Sequence, residues 1–570
     1  MARLPITQFS VLALTSLLVC ACAAAPRGPI TLSIVGTNDL HGGVLEHDGR
    51  GGLALLDGYL KNLRAARARD GGAVVLLDAG DLFQGTLESN LNEGAVVISA
   101  YNALHYDAAT IGNHEFDFGP VGPATSPEGP GDDPLGALKA RTAAATFPFV
   151  AANIVDKSTR QPMFLANVKP SAMLTAGGVR VGVVGLTTME TLGATLSANT
   201  RTLDVIPLAP VLEAEAKRLR SQGATVVIAV AHAGGRCTKF DNPADLSSCA
   251  PNAEIFDVAR AIPAGLVDVI VGGHRHEGMA HEVAGIAVIS SYTAGRAFGR
   301  VDLAIDGATG RVVSHRLFPP HDICERDDPA TDRCAAQGSG VPAEYESAAV
   351  APSHEIEAIL EPGVKAAAEL KKKSLNTTIE ETLPDVGDES ELGNLLADWT
   401  RAAAGADVAI GNTGGVRAAL PAGPLTYGRL FEVTPFDNRE ARLTLTGAEL
   451  ALVVGKNLER RGDMITLSGA RATATCGPGG LHVVLRRDSG KPIGAAESLR
   501  IVTSDFVATG GSGILEPVMP FRAAATIDGP ILRDEMADWL SRTGGSWRGA
   551  DLPANRRLVF DGTRPVSCSR

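Results

Sequence analysis

The chain has 570 residues, 45% of them hydrophobic and 20% charged, a profile that excludes a fibrous or disordered protein and supplies enough length for two sizeable cores. Its 52 Lys and Arg stand against 64 Asp and Glu, a formal charge of −12, and no dense basic run is present, which argues against general nucleic-acid binding. An anionic substrate must then be held by local positive charge, from metal ions or a few placed arginines.

At the N-terminus, Arg3 precedes an apolar run from Phe9 to Val19, followed by small residues to Ala25. The pattern is that of a secretory signal over residues 1–25, and the run is shorter than the roughly twenty residues a membrane-spanning helix needs. Val19-Cys20-Ala21-Cys22 resembles a lipoprotein box with Cys22 as the lipidated residue; simple cleavage after Ala25 is the alternative. The expected location is outside the cytoplasm, periplasmic or at the outer cell surface, with a lipid anchor in the first case. Six cysteines remain in the exported chain, an even number suited to three disulfides. Nearness in sequence pairs Cys237 with Cys249 and Cys324 with Cys334, which leaves Cys476 for Cys568.

From Ile30 to about Val301, β-branched runs such as Thr31–Val35, Ala73–Leu77, Val181–Gly185, Thr225–Ala229 and Val267–Val271 alternate with helical spacings such as Leu53–Arg67 and Val211–Leu219. Nearly continuous apolar strands between amphipathic helices indicate helix-covered sheets of the α/β class. Pro120–Pro134 reads as a surface loop. Glu355–Lys373 carries an apolar stripe and reads as a connecting helix broken at Pro362-Gly363, its terminal Lys371-Lys372-Lys373 favouring the helix macrodipole. The boundaries expected are 28–342 for a first unit, 343–373 for the linker and 374–570 for a second unit.

Chemistry-bearing residues follow the strands of the first unit. The ends read Asn38-Asp39-Leu40-His41, Asp78-Ala79-Gly80-Asp81, Gly112-Asn113-His114-Glu115-Phe116-Asp117, Ala231-His232 and Gly273-His274-Arg275-His276. Residues just past the C-terminal ends of neighbouring strands converge on one crevice. In Asp39-x-His41 and His274-x-His276 the spacing places both side chains on one face of an extended strand end, so each pair contributes two ligands. Two carboxylates, an amide and four imidazoles suit two divalent ions of the zinc, manganese, cobalt or iron class better than magnesium or calcium. A lone histidine at a strand end is ordinarily only a satisfied polar residue; the five elements carry weight as a set.

That set resembles the calcineurin-like metallophosphoesterases, and more narrowly the bacterial periplasmic 5'-nucleotidase, UDP-sugar hydrolase and 2',3'-cyclic phosphodiesterase family. The resemblance implies a four-layer αββα sandwich followed by a second α/β (α+β) substrate-specificity domain. It implies that Asp39, His41 and His276 hold one ion, that Asn113, His232 and His274 hold the other, and that Asp81 bridges them. His114, oriented by Asp117, would stabilise the transferring phosphoryl group or protonate the leaving oxygen. Two ions together generate hydroxide from bound water near neutral pH and neutralise a phosphoryl group during in-line displacement.

In the second unit, Asn412-Thr413-Gly414-Gly415-Val416-Arg417 combines glycine-flanked backbone amides with a guanidinium, a candidate phosphate clamp. By the same resemblance Asn412 and Arg417 contact substrate, and Phe436 and Phe506 sandwich a nucleobase, with Asn438 and Ser512 in the same two segments. Two departures stand out. Relatives often carry an arginine before the stretch Glu389–Asn394, where this chain reads Asp385-Val386-Gly387-Asp388, and an Asp where it has Ser512. The expected activity is phosphate release from nucleotides, with a UDP-sugar hydrolase or cyclic-nucleotide phosphodiesterase of the same architecture as the first alternative. A nucleotide-binding surface protein without useful turnover is the second.

Overall fold

The structure is a computed structural model that describes residues 29–568 except 48, 332, 337, 386–388, 520–524, 528 and 549–555. The segment 1–25 expected to be a secretory signal, with Cys22, and residues 386–388 therefore lie outside the described residues. Among the described residues no helix is long and apolar enough to cross a membrane.

Two sheets stack in the N-terminal half. One has seven strands in the order Val312–Asp322, Ala297–Ile305, Ile30–Thr37, Ala73–Asp78, Ala108–Thr110, Phe149–Val150 and Val168–Lys169; the other has six, in the order Gly278–Val283, Ile286–Ser291, Val269–Gly272, Val226–His232, Val179–Thr187 and Ser171–Ala176. The central strands of both are parallel. Every residue of Val226–His232 is buried because both faces of the strand are covered. Val226, Ile228 and Val230 point between the sheets at Leu32, Ile34, Val75 and Leu77. Val227, Ala229 and Ala231 pack outward with Leu212 and Leu219 of the helix Leu208–Ser221 and with Phe256 of the helix Glu254–Ala261. Val35 and Leu76 do the same on the other side beneath the helix Leu53–Asp70. The result is the four-layer αββα arrangement, in which period-two alternation is hidden because both strand faces are apolar.

The C-terminal half is a second α/β unit. Its four-stranded sheet runs Glu440–Thr446, Ser498–Ser504, Val408–Asn412 and Ile465–Ser468, flanked by two three-stranded sheets. Disulfides join Cys237 to Cys249, Cys324 to Cys334, and Cys476 to Cys568.

The linker differs from expectation in two ways. His354–Lys372 is one helix that continues through Pro362. Proline there removes a single backbone donor, and the helix survives because its flanks are anchored at both ends. Ile356 and Leu360 enter the N-terminal core, and Ala367 enters the C-terminal one. Gly363 permits close approach, since a Cβ there would lie 3.1 Å from the Glu88 carbonyl. Lys371, in turn, is more than a dipole partner: its Nζ donates to Glu88 Oε1 at 2.6 Å, and Glu88 is only 4% exposed. The two halves are tied further where Gln84 Nε2 and Asn90 Nδ2 both donate to the Pro435 carbonyl, at 2.9 and 3.2 Å, and where Arg439 meets Glu128 at 3.0 Å.

The packing between the sheets sets an expected cost. Ile228→Ala should lower the unfolding free energy of the N-terminal half by about 2–5 kcal/mol, read as a shift in its urea midpoint; a loss under about 1 kcal/mol would contradict the dry inter-sheet layer.

Candidate metal centre and substrate cleft

The side chains singled out at the strand ends do converge, but by a different backbone route from the one their spacing suggests. The first strand ends at Thr37, before Asp39 and His41. Asp39, His41, Asp81, His274 and His276 have φ of 50, 49, 58, 74 and 55°, all in the left-handed region that non-glycine residues rarely enter. Each such residue costs on the order of 1 kcal/mol, a strain that persists only where the surroundings over-determine it. Sharp left-handed turns, not the alternation of an extended strand, aim Asp39 with His41 and His274 with His276 into one crevice.

The ring nitrogens show what the crevice accommodates. His41 Nδ1 lies 2.9 Å from the Gln84 carbonyl and His232 Nδ1 lies 2.8 Å from the Ala79 carbonyl. A carbonyl only accepts, so each Nδ1 carries a proton, and in the neutral ring each Nε2 is left with a bare lone pair. Yet His41 Nε2 faces His276 Nε2 at 2.9 Å. His232 Nε2 faces Asn113 Oδ1 at 3.0 Å, Asp81 Oδ2 at 3.1 Å and His274 Nδ1 at 3.2 Å. Asn113 presents oxygen inward because its Nδ2 donates to the Ala194 carbonyl at 3.2 Å. Acceptors crowded on acceptors repel unless a cation lies among them, and the donor set of imidazole, carboxylate and amide oxygen is that of a divalent transition metal. The residues fit such ions.

Charge makes the same demand. Asp39 and Asp81 are 0% and 1% exposed. Burial raises the Asp39 pKa, but His276 outweighs it and holds the carboxylate below its usual range; in Asp81, His232 and His114 overcome burial in the same way. Burial lowers His232, and Asp81 reverses that so strongly that the imidazole is pushed up to about 10: without metal, a proton takes the cation's place. His41 is driven well below the usual imidazole value by burial and then by His276. Asp81 is shared, since its carboxylate belongs both to the group with His41 and His114 and to the group with His232 and His274, while Asp39, His41 and His276 form a third.

His114 stands beside this cluster. Its Nδ1 meets Asp117 Oδ2 at 2.6 Å, and Thr195 Oγ1 donates to Asp117 Oδ1 at 2.8 Å. Burial lowers the His114 pKa, but Asp117 and Asp81 more than offset it and hold the ring above its ordinary value. With Nδ1 engaged, Nε2 is the nitrogen left for a substrate.

Several positioning residues were not evident from the sequence. Glu115 accepts the backbone N–H groups of Asp81, Leu82 and Gly112 at 2.9, 2.6 and 2.7 Å, and so clamps the two loops together. Burial and the nearby Asp81 raise it to about 8. Asn38 donates to Asp39 Oδ2 at 2.6 Å and to the Tyr292 carbonyl at 2.6 Å. Glu190 accepts from His274 Nε2 at 3.3 Å and from Arg275 Nη2 at 2.9 Å. Only adjacency to the motif residues signals Glu115 and Asn38; Glu190 carries no sequence signal.

The second unit closes over the centre. One cavity of about 590 Å³ is lined by Asp81, Asn113, His114, His274 and His276 from the N-terminal half. The same cavity is lined by all eight residues singled out in the C-terminal half: Asn412, Gly414, Gly415, Arg417, Phe436, Asn438, Phe506 and Ser512. Asp39, His41 and His232 lie deeper. The Phe436 ring sits 5.7 Å from the His114 ring, and the Arg417 guanidinium lies 5.8 Å over Phe436, a cation–π distance. Asp463 also lines the cavity, a residue that sequence reading passed over.

Comparison with known proteins agrees with this geometry. The family model described as calcineurin-like phosphoesterase matches residues 32–278, and that described as 5'-nucleotidase, C-terminal domain, matches residues 372–519. The chain belongs to the two-domain 5'-nucleotidase family of metallophosphoesterases. It is 28% identical over 537 residues to the protein UshA of Yersinia enterocolitica, covering 88% of this chain and 90% of that one. It is 27% identical over 551 residues to a 5'-nucleotidase of Vibrio cholerae, covering 88% and 89%. Its fold is similar to that of a 5'-nucleotidase precursor from Thermus thermophilus, with a TM-score of 0.70 at 23% identity, covering 93% of this chain and 99% of that one. As a member of this family the protein is a metal-dependent phosphoester hydrolase that uses divalent metals.

Because Asp81 joins the clusters, its loss should be felt at every ion. In calorimetric titration with Mn²⁺, Asp81→Ala should lose at least one equivalent of binding relative to the parental protein; an unaltered isotherm would remove Asp81 from the centre.

Proposed function

We propose that the protein releases phosphate from nucleotides outside the cytoplasm, by direct attack of water and without a phosphoenzyme. The observation that carries this reading is the single cavity lined both by the acceptor-rich centre and by Arg417, Phe436 and Phe506. Asp39, His41 and His276 would hold one ion and Asn113, His232 and His274 the other, with Asp81 between them. Two bound divalent cations supply Lewis acidity and a hydroxide-strength nucleophile.

The chain's own residues do the rest. Arg417, with the backbone amides of Gly414 and Gly415, holds phosphate oxygens. Phe436 and Phe506 receive the base between their rings, and stacking of this kind contributes about 1–3 kcal/mol per base while tolerating different bases. His114 meets the phosphoryl group or the leaving oxygen through Nε2, and Asp117 keeps the ring in the tautomer that can donate there. Residues 28–342 form the catalytic unit, 343–373 the linker and 374–570 the substrate-binding unit. The segment 1–25 directs export, with Cys22 as the lipid attachment point.

A second reading has its own observation. A cavity of about 750 Å³ adjoins the centre on the far side of the Glu190–Arg275 pair, both of which line it together with Asn252, Asp257 and Arg236. Polar groups over an apolar floor of Leu208 and Val258 suit the sugar of a nucleoside diphosphate derivative, which favours that substrate class as the alternative to simple monophosphates.

Phosphate release from AMP should stop on addition of a chelator and return with added divalent ion. His114→Ala should lower kcat by about 10²- to 10⁴-fold; parental turnover in that variant would sink its assigned role. The double variant Phe436→Ala with Phe506→Ala should raise KM for AMP at least about tenfold, consistent with two lost stacking contacts, and raise it much less for p-nitrophenyl phosphate. Equal effects on both substrates would dispose of the base sandwich.

A further inference from the structure

Arg533 has no part in the activity as read so far, yet its surroundings are unusual for an arginine. It lies in the first turn of the helix Leu532–Thr543, where the macrodipole opposes a cation, and it is only 4% exposed. Its partners account for its place. Nε donates to the Tyr427 hydroxyl at 3.0 Å, Nη1 to the Phe436 carbonyl at 3.1 Å and Nη2 to Asp437 Oδ1 at 2.5 Å. The guanidinium also lies 4.4 Å over the Phe431 ring and 5.6 Å over the Tyr427 ring, both cation–π distances. The Tyr427 hydroxyl in turn donates to Asp534 Oδ1 at 2.5 Å. Tyr427 and Phe431 belong to the helix Tyr427–Val433, whereas Phe436 and Asp437 belong to the irregular loop 434–438 that follows it. One guanidinium thus fastens that loop to two helices. The loop has no strand or helix of its own, and its carbonyls are held from outside: Pro435 by Gln84 and Asn90, Phe436 by Arg533, and Asn438 by the Leu532 backbone N–H at 2.9 Å. A second, small cavity of about 90 Å³ also reaches Phe436 and is lined by Arg533 and Met536, so the loop has space to shift if the grip is lost.

We propose that Arg533 is a positioning residue for nucleotide binding: it presets the Phe436 ring in the cleft before substrate enters, and it acts through that ring without touching the nucleotide. The proposal rests on the reading of Phe436 as a base platform given above. Among the described residues Arg533 does not line the substrate cavity, whereas Phe436 does. A ring fixed in advance loses little freedom when a base stacks on it, which is where the gain in affinity arises. The residue type matters because a guanidinium offers its donors in one rigid plane and can meet a hydroxyl, a carbonyl and a carboxylate together, which a lysine cannot. Without it, the Phe436 carbonyl and the Asp437 carboxylate lose this donor, and regaining one from water turns the loop and carries the ring away. Since the Phe436 ring stands 5.7 Å from that of His114, even a small shift changes where a stacked nucleotide meets the centre.

The test measures KM and kcat for AMP and for p-nitrophenyl phosphate in the metal-loaded, full-length protein and in its R533M, F436A and R533M/F436A variants. R533M should raise KM for AMP at least about tenfold, the order expected for one disturbed stacking contact, and raise KM for p-nitrophenyl phosphate much less. Because Arg533 works through Phe436, the double variant should have a KM for AMP within about twofold of that of F436A alone. Multiplying effects in the double variant overturn the proposal. So does R533M with a parental KM for AMP, or R533M that loses kcat on both substrates in equal proportion at unchanged KM, which is what a merely structural arginine and a smaller folded fraction would give. If R533M does not fold, R533K, which keeps the charge but not the planar fork, takes its place; it should show the same split in KM, and a parental KM for AMP in R533K overturns the proposal equally. If F436A itself kept the parental KM for AMP, the base-platform reading would fail and this proposal with it, whereas a rise in F436A without one in R533M removes only the role of Arg533.

Discussion

The organising constraint in this molecule is the repulsion among acceptors in one buried crevice. Two carboxylates, an amide oxygen and imidazole nitrogens crowd into one crevice, the carboxylate and imidazole atoms in overlapping groups within 4.8 Å of one another, with backbone carbonyls behind the rings fixing which nitrogen faces inward. Such a set is stable only around positive charge. The parallel strands deliver the loops to one rim, the positive-φ turns re-aim the side chains, and Glu115 ties the loops to one another through three backbone amides.

The second half of the chain is placed by the same economy of contacts. Gln84 and Asn90, immediately beyond the Asp81 loop, both grasp the carbonyl of Pro435, the residue before Phe436. One backbone oxygen therefore registers the aromatic platform against the metal loops. Lys371, half-buried, and the buried Glu88 add an ion pair a short distance away, and the linker helix threads both cores.

Much of this was legible in the amino-acid sequence, and the exceptions have physical causes. The α/β layering could be read because strands covered on both faces are apolar throughout. The crevice could be read because carboxylate, amide and imidazole recur just past strand ends beside glycines. The backbone conformation could not: spacing of two suggests an extended chain, whereas in the fold Asp39, His41, His274 and His276 are in left-handed turns. Pro362 looked like a helix stop because proline removes a hydrogen bond, but packing at both ends of the helix outweighs the loss. Glu115 and Asn38 act by accepting from or donating to backbone and neighbouring groups, a role that residue type does not advertise. Asp463 sits 49 residues from Ser512 and 51 from Asn412, and no motif links the three.

The left-handed turns have a thermodynamic corollary. Backbone strain and mutual repulsion are both relieved when the crevice opens, and both are compensated when it is filled, so ligand occupancy and rigidity of the N-terminal loops are linked functions. The free-ion concentration of the surrounding medium thereby enters the conformational equilibrium of the loops that carry Asp39, Asp81 and His274. Through the grip of Gln84 and Asn90 on Pro435, it reaches the placement of the aromatic platform as well.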